Sequence, residues 1–162
     1  MRTPRRRLHA SVTGCALLSA RALVAAWALL AWRPVSAASA SLYQELGAAN
    51  GVRAISDALI DRMAHDPVTA PAWKDVRLDR VKRLLAAQIC ELAGGPCHYD
   101  GDSMHAVHAG LGITEAQFER SVADLQSILR ARHIAIGARN RLLRLLAPMR
   151  REIVEQPADG KQ

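Results

Sequence analysis

From Ser41 onward, apolar residues recur every three or four positions, and this spacing constrains the fold more than any other feature of the 162-residue chain. Such a period places the apolar side chains on one face of an α-helix. No stretch alternates in the manner of a β-strand, and no repeat or low-complexity tract interrupts the pattern. The sequence therefore predicts an all-α domain over residues 41–155. The clearest apolar stripe consists of Val52, Ile55, Leu59, Ile60 and Met63.

Polar residues, glycine and proline predict where these helices begin and end. Thr114 and Gln117 have the spacing of a capping box at a helix start. The Gly-Gly-Pro sequence at 94–96 ends a third helix, and Pro148 predicts a kink in the last one. Residues 156–162 (QPADGKQ) are predicted to form a disordered tail.

Residues 1–40 are predicted to be a secretory signal peptide, cleaved near Ala37 or Ala40. Four arginines, at positions 2, 5, 6 and 7, form a charged start, and an uncharged apolar run of eleven residues follows at 22–32. That run is too short to span a bilayer by itself, because spanning takes about 20 apolar residues. We therefore expect an exported, periplasmic protein. The alternative is an uncleaved leader that anchors the protein to the inner membrane, which would be its one membrane contact.

The positive charge belongs to this leader. The chain has 22 Lys and Arg against 15 Asp and Glu, a formal net charge of +7. Six of the arginines lie in residues 1–37, which hold no acidic residue, so 16 basic residues face 15 acidic ones in the remainder. Aromatic residues make up only 4% of the chain, which leaves few surfaces on which bases could stack. These two observations argue against a nucleic-acid partner.

Two cysteines remain beyond the leader, Cys90 and Cys97, on either side of the turn at 94–96. The turn could bring their Cβ atoms close enough for a disulfide, which an oxidising compartment would permit. The alternative is two small buried thiols, which is a common environment for free cysteine.

Histidines supply the candidate metal ligands. His105 and His108 stand three residues apart, a spacing that suits zinc or copper, with Asp102 as the one obvious further ligand. His108 also lies on an apolar stripe with Met104, Val107 and Leu111, so it is either a core histidine or an axial haem ligand. Spacing alone leaves these alternatives open. Surface positions are expected for the others, His65, His98 and His133.

The region 41–155 resembles the truncated haemoglobins, in particular group I. Four blocks carry the resemblance: 42–47 (LYQELG), 94–96 (GGP) with Tyr99 and Gly101, 104–114 (MHAVHAGLGIT) and 146–149 (LAPM). The resemblance implies a two-over-two helical sandwich around haem b, iron protoporphyrin IX. It also implies that His108, the second histidine of the third block, is the proximal ligand of the haem iron.

The resemblance assigns further haem contacts, several of which depart from the family's usual residues. Trp73 stands where a phenylalanine usually packs on the porphyrin, and Ile60 stands where a tyrosine usually bonds oxygen. The matching positions on the third helix are the apolar Val81 and Leu85, with Gln88 one turn further on. The remaining expected contacts are Leu59, Met104 and Val107.

The function implied is reversible binding of a diatomic gas (oxygen, carbon monoxide or nitric oxide), for oxygen transport, gas sensing or detoxification. No catalytic residue is predicted. Nitric oxide dioxygenation or peroxidase-like turnover would need a polar distal partner or an unidentified reductase, and the sequence shows neither. The alternative is a haem-free helical interaction domain that keeps the globin fold.

Overall fold

The structure of the protein is a computed structural model, and it describes residues 40–155. The predicted tail and nearly all of the predicted leader lie outside these residues. Within 40–155 all regular secondary structure is helical, which confirms the all-α prediction, and no helix there is long and apolar enough to cross a membrane. The helices are α1 (Leu42–Glu45), α2 (Ala48–His65), α3 (Leu78–Leu92), α4 (Met104–His108), α5 (Glu115–Ala131), α6 (Ile136–Leu146) and α7 (Arg150–Ile153), with 3₁₀ turns at Ala70–Trp73 and Ala147–Met149.

Side-chain caps fix where α1 and α5 begin. The Ser41 hydroxyl accepts a hydrogen bond from the Gln44 backbone N–H at 3.3 Å. Thr114 and Gln117 form the predicted capping box, in which the Thr114 hydroxyl accepts from the Gln117 N–H and the Gln117 side-chain oxygen accepts from the Thr114 N–H. These caps satisfy N–H groups that the first turn of a helix leaves unpaired.

The apolar stripe of α2 forms the centre of the core, where it packs against α3 and α5. Moving an aliphatic side chain of this size out of water contributes about 1.5–3 kcal/mol. The largest apolar side chains that are completely buried are Leu46, Val52, Ile55, Ile60, Ile89, Leu129 and Leu142.

The last helical region is broken at Pro148, as predicted. α6 ends at Leu146 and a 3₁₀ turn leads into α7. Proline lacks the N–H that would continue the helical hydrogen bonds, so the chain changes direction there. Arg150, at the start of α7, donates from two guanidinium nitrogens to the two carboxylate oxygens of Glu115 on α5, and the Nε–Oε1 distance is 2.8 Å. This two-pronged contact holds α7 against the start of α5.

Two buried carboxylates lie between α2 and α5. Asp66, directly after α2, accepts a hydrogen bond from the Val68 N–H at 2.9 Å and pairs with Arg120 of α5. Arg120 also approaches Asp124, with 3.8 Å between Nε and Oδ2. The Val68 N–H and the Arg120 guanidinium lower the pKa of Asp66 below its ordinary value of 3.8, although burial opposes the shift. This ion pair ties the end of α2 to α5.

Candidate functional site

His108 is the last residue of α4, a helix of five residues none of which is buried. Its side chain is half-buried and does not belong to the buried core cluster. Ser103 caps the start of the helix, because its hydroxyl accepts the Ala106 N–H at 3.2 Å. The imidazole Nδ1 of His108 lies 2.8 Å from the backbone carbonyl oxygen of Met104, one turn earlier.

That contact fixes which ring nitrogen is available for chemistry. A carbonyl oxygen only accepts hydrogen bonds, so the Nδ1 of His108 carries the hydrogen and donates it. In the neutral imidazole the lone pair is then on Nε2, at the outer end of the ring. Histidines that ligate metals through one nitrogen commonly donate from the other in this way. The hydrogen bond to Met104 therefore leaves Nε2 as the ring nitrogen whose lone pair is available.

The apolar neighbours of His108 are more exposed than a core stripe would be. Val107 is 41% exposed and Leu111 is 50% exposed, while Met104 is half-buried. Helical spacing correctly placed these residues near His108, but the protein's own core does not cover them. An apolar surface of this kind beside a histidine suits a flat, largely apolar ligand.

The alternative zinc or copper site finds no support in the part of the chain that the structure describes. His105 is exposed, and no group of three His, Cys, Asp or Glu side chains in residues 40–155 is arranged to hold a metal ion. The surface prediction is confirmed for the remaining histidines, since His65, His98 and His133 are all exposed.

The expected distal residues lie on α2 and α3, and their side chains are hydrocarbon throughout. Ile60 is 1% exposed and Leu59 is 7% exposed, and Leu59 lies in the core cluster. Leu85, on α3, is half-buried and packs against the same cluster, while Val81 is half-buried one turn earlier. Leu59 and Leu85 therefore belong to one hydrophobic cluster, and neither side chain carries a hydrogen-bond donor.

Trp73 ends the 3₁₀ turn after α2 and is half-buried. It lines an open depression of about 680 Å³ whose walls also include His65, Lys74 and Leu78. Trp73 thus borders a depression whose other walls come from the end of α2 and the start of α3.

Gln88, one turn beyond Leu85 on α3, contacts two methionines, of which the sequence assigned no role to Met149. Gln88 is 9% exposed, so its side chain is buried and does not lie on the surface. Its amide nitrogen lies 3.5 Å from the Met104 sulfur and 3.9 Å from the Met149 sulfur. The position of Gln88 on the apolar face of α3 was a signal of burial, whereas its contact with Met149 spans 61 residues of sequence and leaves no local trace.

The loop that leads into α4 is held by covalent and polar contacts. Cys90 and Cys97 are joined as a disulfide, with their Cα atoms 5.8 Å apart. Glu91 accepts hydrogen bonds from the His98 ring at 3.0 Å and from the Tyr99 backbone N–H at 3.2 Å. The Tyr99 hydroxyl donates to the Asp102 carbonyl at 2.7 Å, and burial of the ring raises the pKa of Tyr99 above 10.0. The approach to the His108 helix is therefore tied to the end of α3.

The chain is similar to proteins of one family. The model of the bacterial-like globin family matches residues 41–155. The group 1 truncated hemoglobin GlbN of Nostoc commune is 25% identical over 95 residues, which are 59% of this chain and 80% of that protein. The group 1 truncated hemoglobin of Tetrahymena pyriformis is 20% identical over 114 residues, which are 70% of this chain and 94% of that protein.

Solved structures agree on the fold. The crystal structure of truncated hemoglobin from Tetrahymena pyriformis in its Fe(III) form aligns with a TM-score of 0.67 at 20% identity. The alignment covers 71% of this chain and 98% of that one, which confirms the predicted truncated-globin fold. With the family model matched over nearly all of the described residues, the chain belongs to the bacterial-like globin family.

Proposed function

We propose that this protein binds haem b with His108 as the axial ligand that the chain supplies, and that its function is reversible binding of a diatomic gas such as oxygen. The observation that carries the proposal is the hydrogen bond from the His108 Nδ1 to the Met104 carbonyl, which leaves Nε2 free. Membership of the globin family and the likeness to proteins named truncated hemoglobins support it.

The side chains around His108 fit such a group. The face formed by Val107 and Leu111 is apolar and only partly covered, as a porphyrin face requires. The expected contacts on α2 and α3 are hydrocarbon side chains as well. The residues that would hold the porphyrin are Leu59, Ile60, Trp73, Val81, Leu85, Met104 and Val107.

Haem, when bound, supplies the iron that takes up the gas. The chain's own contribution is to aim the Nε2 lone pair of His108 and to hold its hydrogen on Nδ1. In this proposal the hydrocarbon side chains of Leu59 and Ile60 would border the gas and keep water from it. No step in this function requires a catalytic acid or base.

The visible spectrum of the full chain, expressed with haem available, tests the proposal. We expect an intense Soret band that is lost or strongly reduced in His108→Ala. His105→Ala is the matched control, since that histidine belongs to the same helix and is exposed. Equal losses in the two variants would show that the wrong histidine has been chosen. A folded, colourless native protein would instead favour a haem-free interaction domain.

We further propose that the protein is exported to the periplasm. One support is the sequence of residues 1–40, in which arginines are followed by an apolar run. The other is the disulfide between Cys90 and Cys97, because disulfides persist in oxidising compartments. Cell fractionation and N-terminal sequencing test the location. We expect a soluble periplasmic form that begins near Ala38 or Ser41, while recovery in the membrane fraction with Met1 intact would indicate an anchored form.

A further inference from the structure

The helix that carries His108 cannot hold its own conformation. α4 has five residues, and none of them is buried. Isolated helices shorter than about 12 residues are marginal in water, so packing or polar contacts from elsewhere must stabilise this one. Immediately after it, Gly110 and Gly112 have φ values of +78° and +62°, in the left-handed region that favours glycine.

Glu155 supplies such contacts to the segment after α4. One carboxylate oxygen accepts the Gly110 backbone N–H at 2.6 Å, and the other accepts the Gly112 N–H at 2.7 Å. The Glu155 backbone N–H donates to the Ile113 carbonyl at 3.0 Å. Hydrogen bonds to a carboxylate are stronger than those between neutral groups, so this single side chain clamps both glycines.

The backbone that Glu155 binds is hydrogen-bonded to His108. The Leu111 N–H, between the two clamped glycines, donates to the His108 carbonyl at 3.1 Å. Gly110 is the second residue after His108, so movement of its backbone is passed directly to the end of α4. The segment bound by Glu155 therefore begins directly beyond the end of α4 and is hydrogen-bonded to the backbone of His108 itself.

The segment that carries Glu155 is itself attached to the rest of the domain. It lies two residues after the end of α7, and α7 packs against α4. At the start of α7, Arg150 makes its two-pronged contact with Glu115 of α5. Residues 150–155 are thus fixed at both ends. Arg150 binds α5, and Glu155 binds Gly110 and Gly112.

We infer that Glu155 is a positioning residue for His108: its carboxylate holds the Gly110–Gly112 segment so that the imidazole keeps its orientation and its hydrogen on Nδ1. The inference rests on the proposed function of His108 as axial ligand. It assigns a specific role to a residue 47 positions away in the sequence, at the end of the described chain.

Glu155→Gln is the variant of choice because the amide keeps the shape of the carboxylate but replaces one acceptor oxygen with a donor. Glu152→Gln is the matched control, since Glu152 is an exposed carboxylate on α7. Amide exchange is measured on peptides that cover residues 109–113, and dissociation of haem is measured on the loaded protein. We expect both rates to rise at least about 10-fold in Glu155→Gln, and to stay unchanged in Glu152→Gln.

Each outcome decides a different point. Unchanged amide exchange would overturn the clamp itself. Faster exchange with unchanged haem dissociation would overturn the positioning role and leave only a local loop contact. If native protein and His108→Ala retain haem equally, the proposed function fails. Nitrogen NMR of the His108 ring in the haem-free full chain then still tests the inference, which requires Glu155→Gln to reduce the share of the Nδ1-protonated form.

Discussion

The side-chain amide of Gln88 donates a hydrogen bond to the sulfur of Met104 over 3.5 Å, and this contact joins α3 to the helix of His108. A thioether sulfur is a weak acceptor, so a buried amide directed at it is only modestly satisfied. Gln88 is therefore the one polar side chain among the expected pocket residues of α3 that could turn toward a ligand. Gln88 on α3 and Ile60 on α2 can therefore be tested separately for contact with a bound gas.

The hydrocarbon wall of α2 predicts rapid release of oxygen. Oxygen becomes negatively polarised in its complexes and gains from a nearby donor, whereas carbon monoxide gains little. A buried hydrogen bond to a charged or polarised group contributes about 1.5–3 kcal/mol, and each 1.4 kcal/mol is tenfold in rate. We expect Ile60→Tyr to slow oxygen release by about 10-fold or more, with a much smaller effect on carbon monoxide, as measured by stopped-flow spectroscopy.

Ile60→Phe is the control for that experiment, because Ile60 is 1% exposed and a larger ring must displace its neighbours. Phenylalanine reproduces the size of tyrosine without its hydroxyl. Equal oxygen release rates in the two variants would show that position 60 does not face the ligand.

Gln88→Leu tests whether the amide of Gln88 supplies the donor instead. If the amide stays with Met104, the substitution leaves oxygen release unchanged within about twofold, because no bond to the ligand is lost. The measurement is the same stopped-flow experiment, with Gln88→Glu as a polar control of equal size. Faster oxygen release in Gln88→Leu would identify Gln88 as the donor. If oxygen release is slow in the native protein and equally slow in Gln88→Leu, another donor is required, such as an ordered water.

Local sequence signals predicted the helices well, because the groups that fix helix ends lie within a few residues of one another. Thr114 and Gln117 are three residues apart, and the break at Pro148 follows from the chemistry of one residue. The site is less predictable for a physical reason. Periodicity identifies the helix face on which Val107 lies but not what covers that face. Glu155 and Gly110 are 45 residues apart in sequence, and their hydrogen bond forms only in the folded chain.

The disulfide between Cys90 and Cys97 is predicted to stabilise the protein. It closes a short loop, and removing such a bond restores conformational freedom to the unfolded chain. We expect the C90A/C97A double variant to lose about 2–3 kcal/mol of unfolding free energy in urea titrations. Reduction of the native protein should lower its stability by a similar amount. Freely alkylated thiols in unreduced periplasmic protein, with no effect of reductant, would contradict the bond.

Gly95 is predicted to be intolerant of any side chain. A Cβ atom at this position would lie 2.6 Å from the Cys90 sulfur, 2.7 Å from the Tyr43 ring and 2.9 Å from the Cys90 carbonyl oxygen. We expect Gly95→Ala to cost about 1–3 kcal/mol of stability through overpacking. Gly137→Ala is the control, because a Cβ there meets open space within α6, and it should stabilise the protein by about 0.5–1 kcal/mol. Similar thermal unfolding temperatures for the two variants would argue against tight packing at Gly95.

Asp66 is predicted to make the stability of the domain depend on acid pH. Its pKa is lowered in the folded protein by the Val68 N–H and by Arg120, so folding favours the ionised carboxylate. This contribution is complete above the ordinary pKa of 3.8 and is lost as the pH falls through the lower folded value. Asp66→Asn removes the charge and should destabilise the protein at neutral pH. Asp66→Asn should also lose less stability than the native protein between about pH 5 and the acid limit of folding.

Asp75→Asn is the control for general charge effects, because Asp75 is an exposed aspartate in the loop before α3. The measurement is the urea midpoint as a function of pH, and parallel curves for Asp66→Asn and the native protein would contradict the assignment.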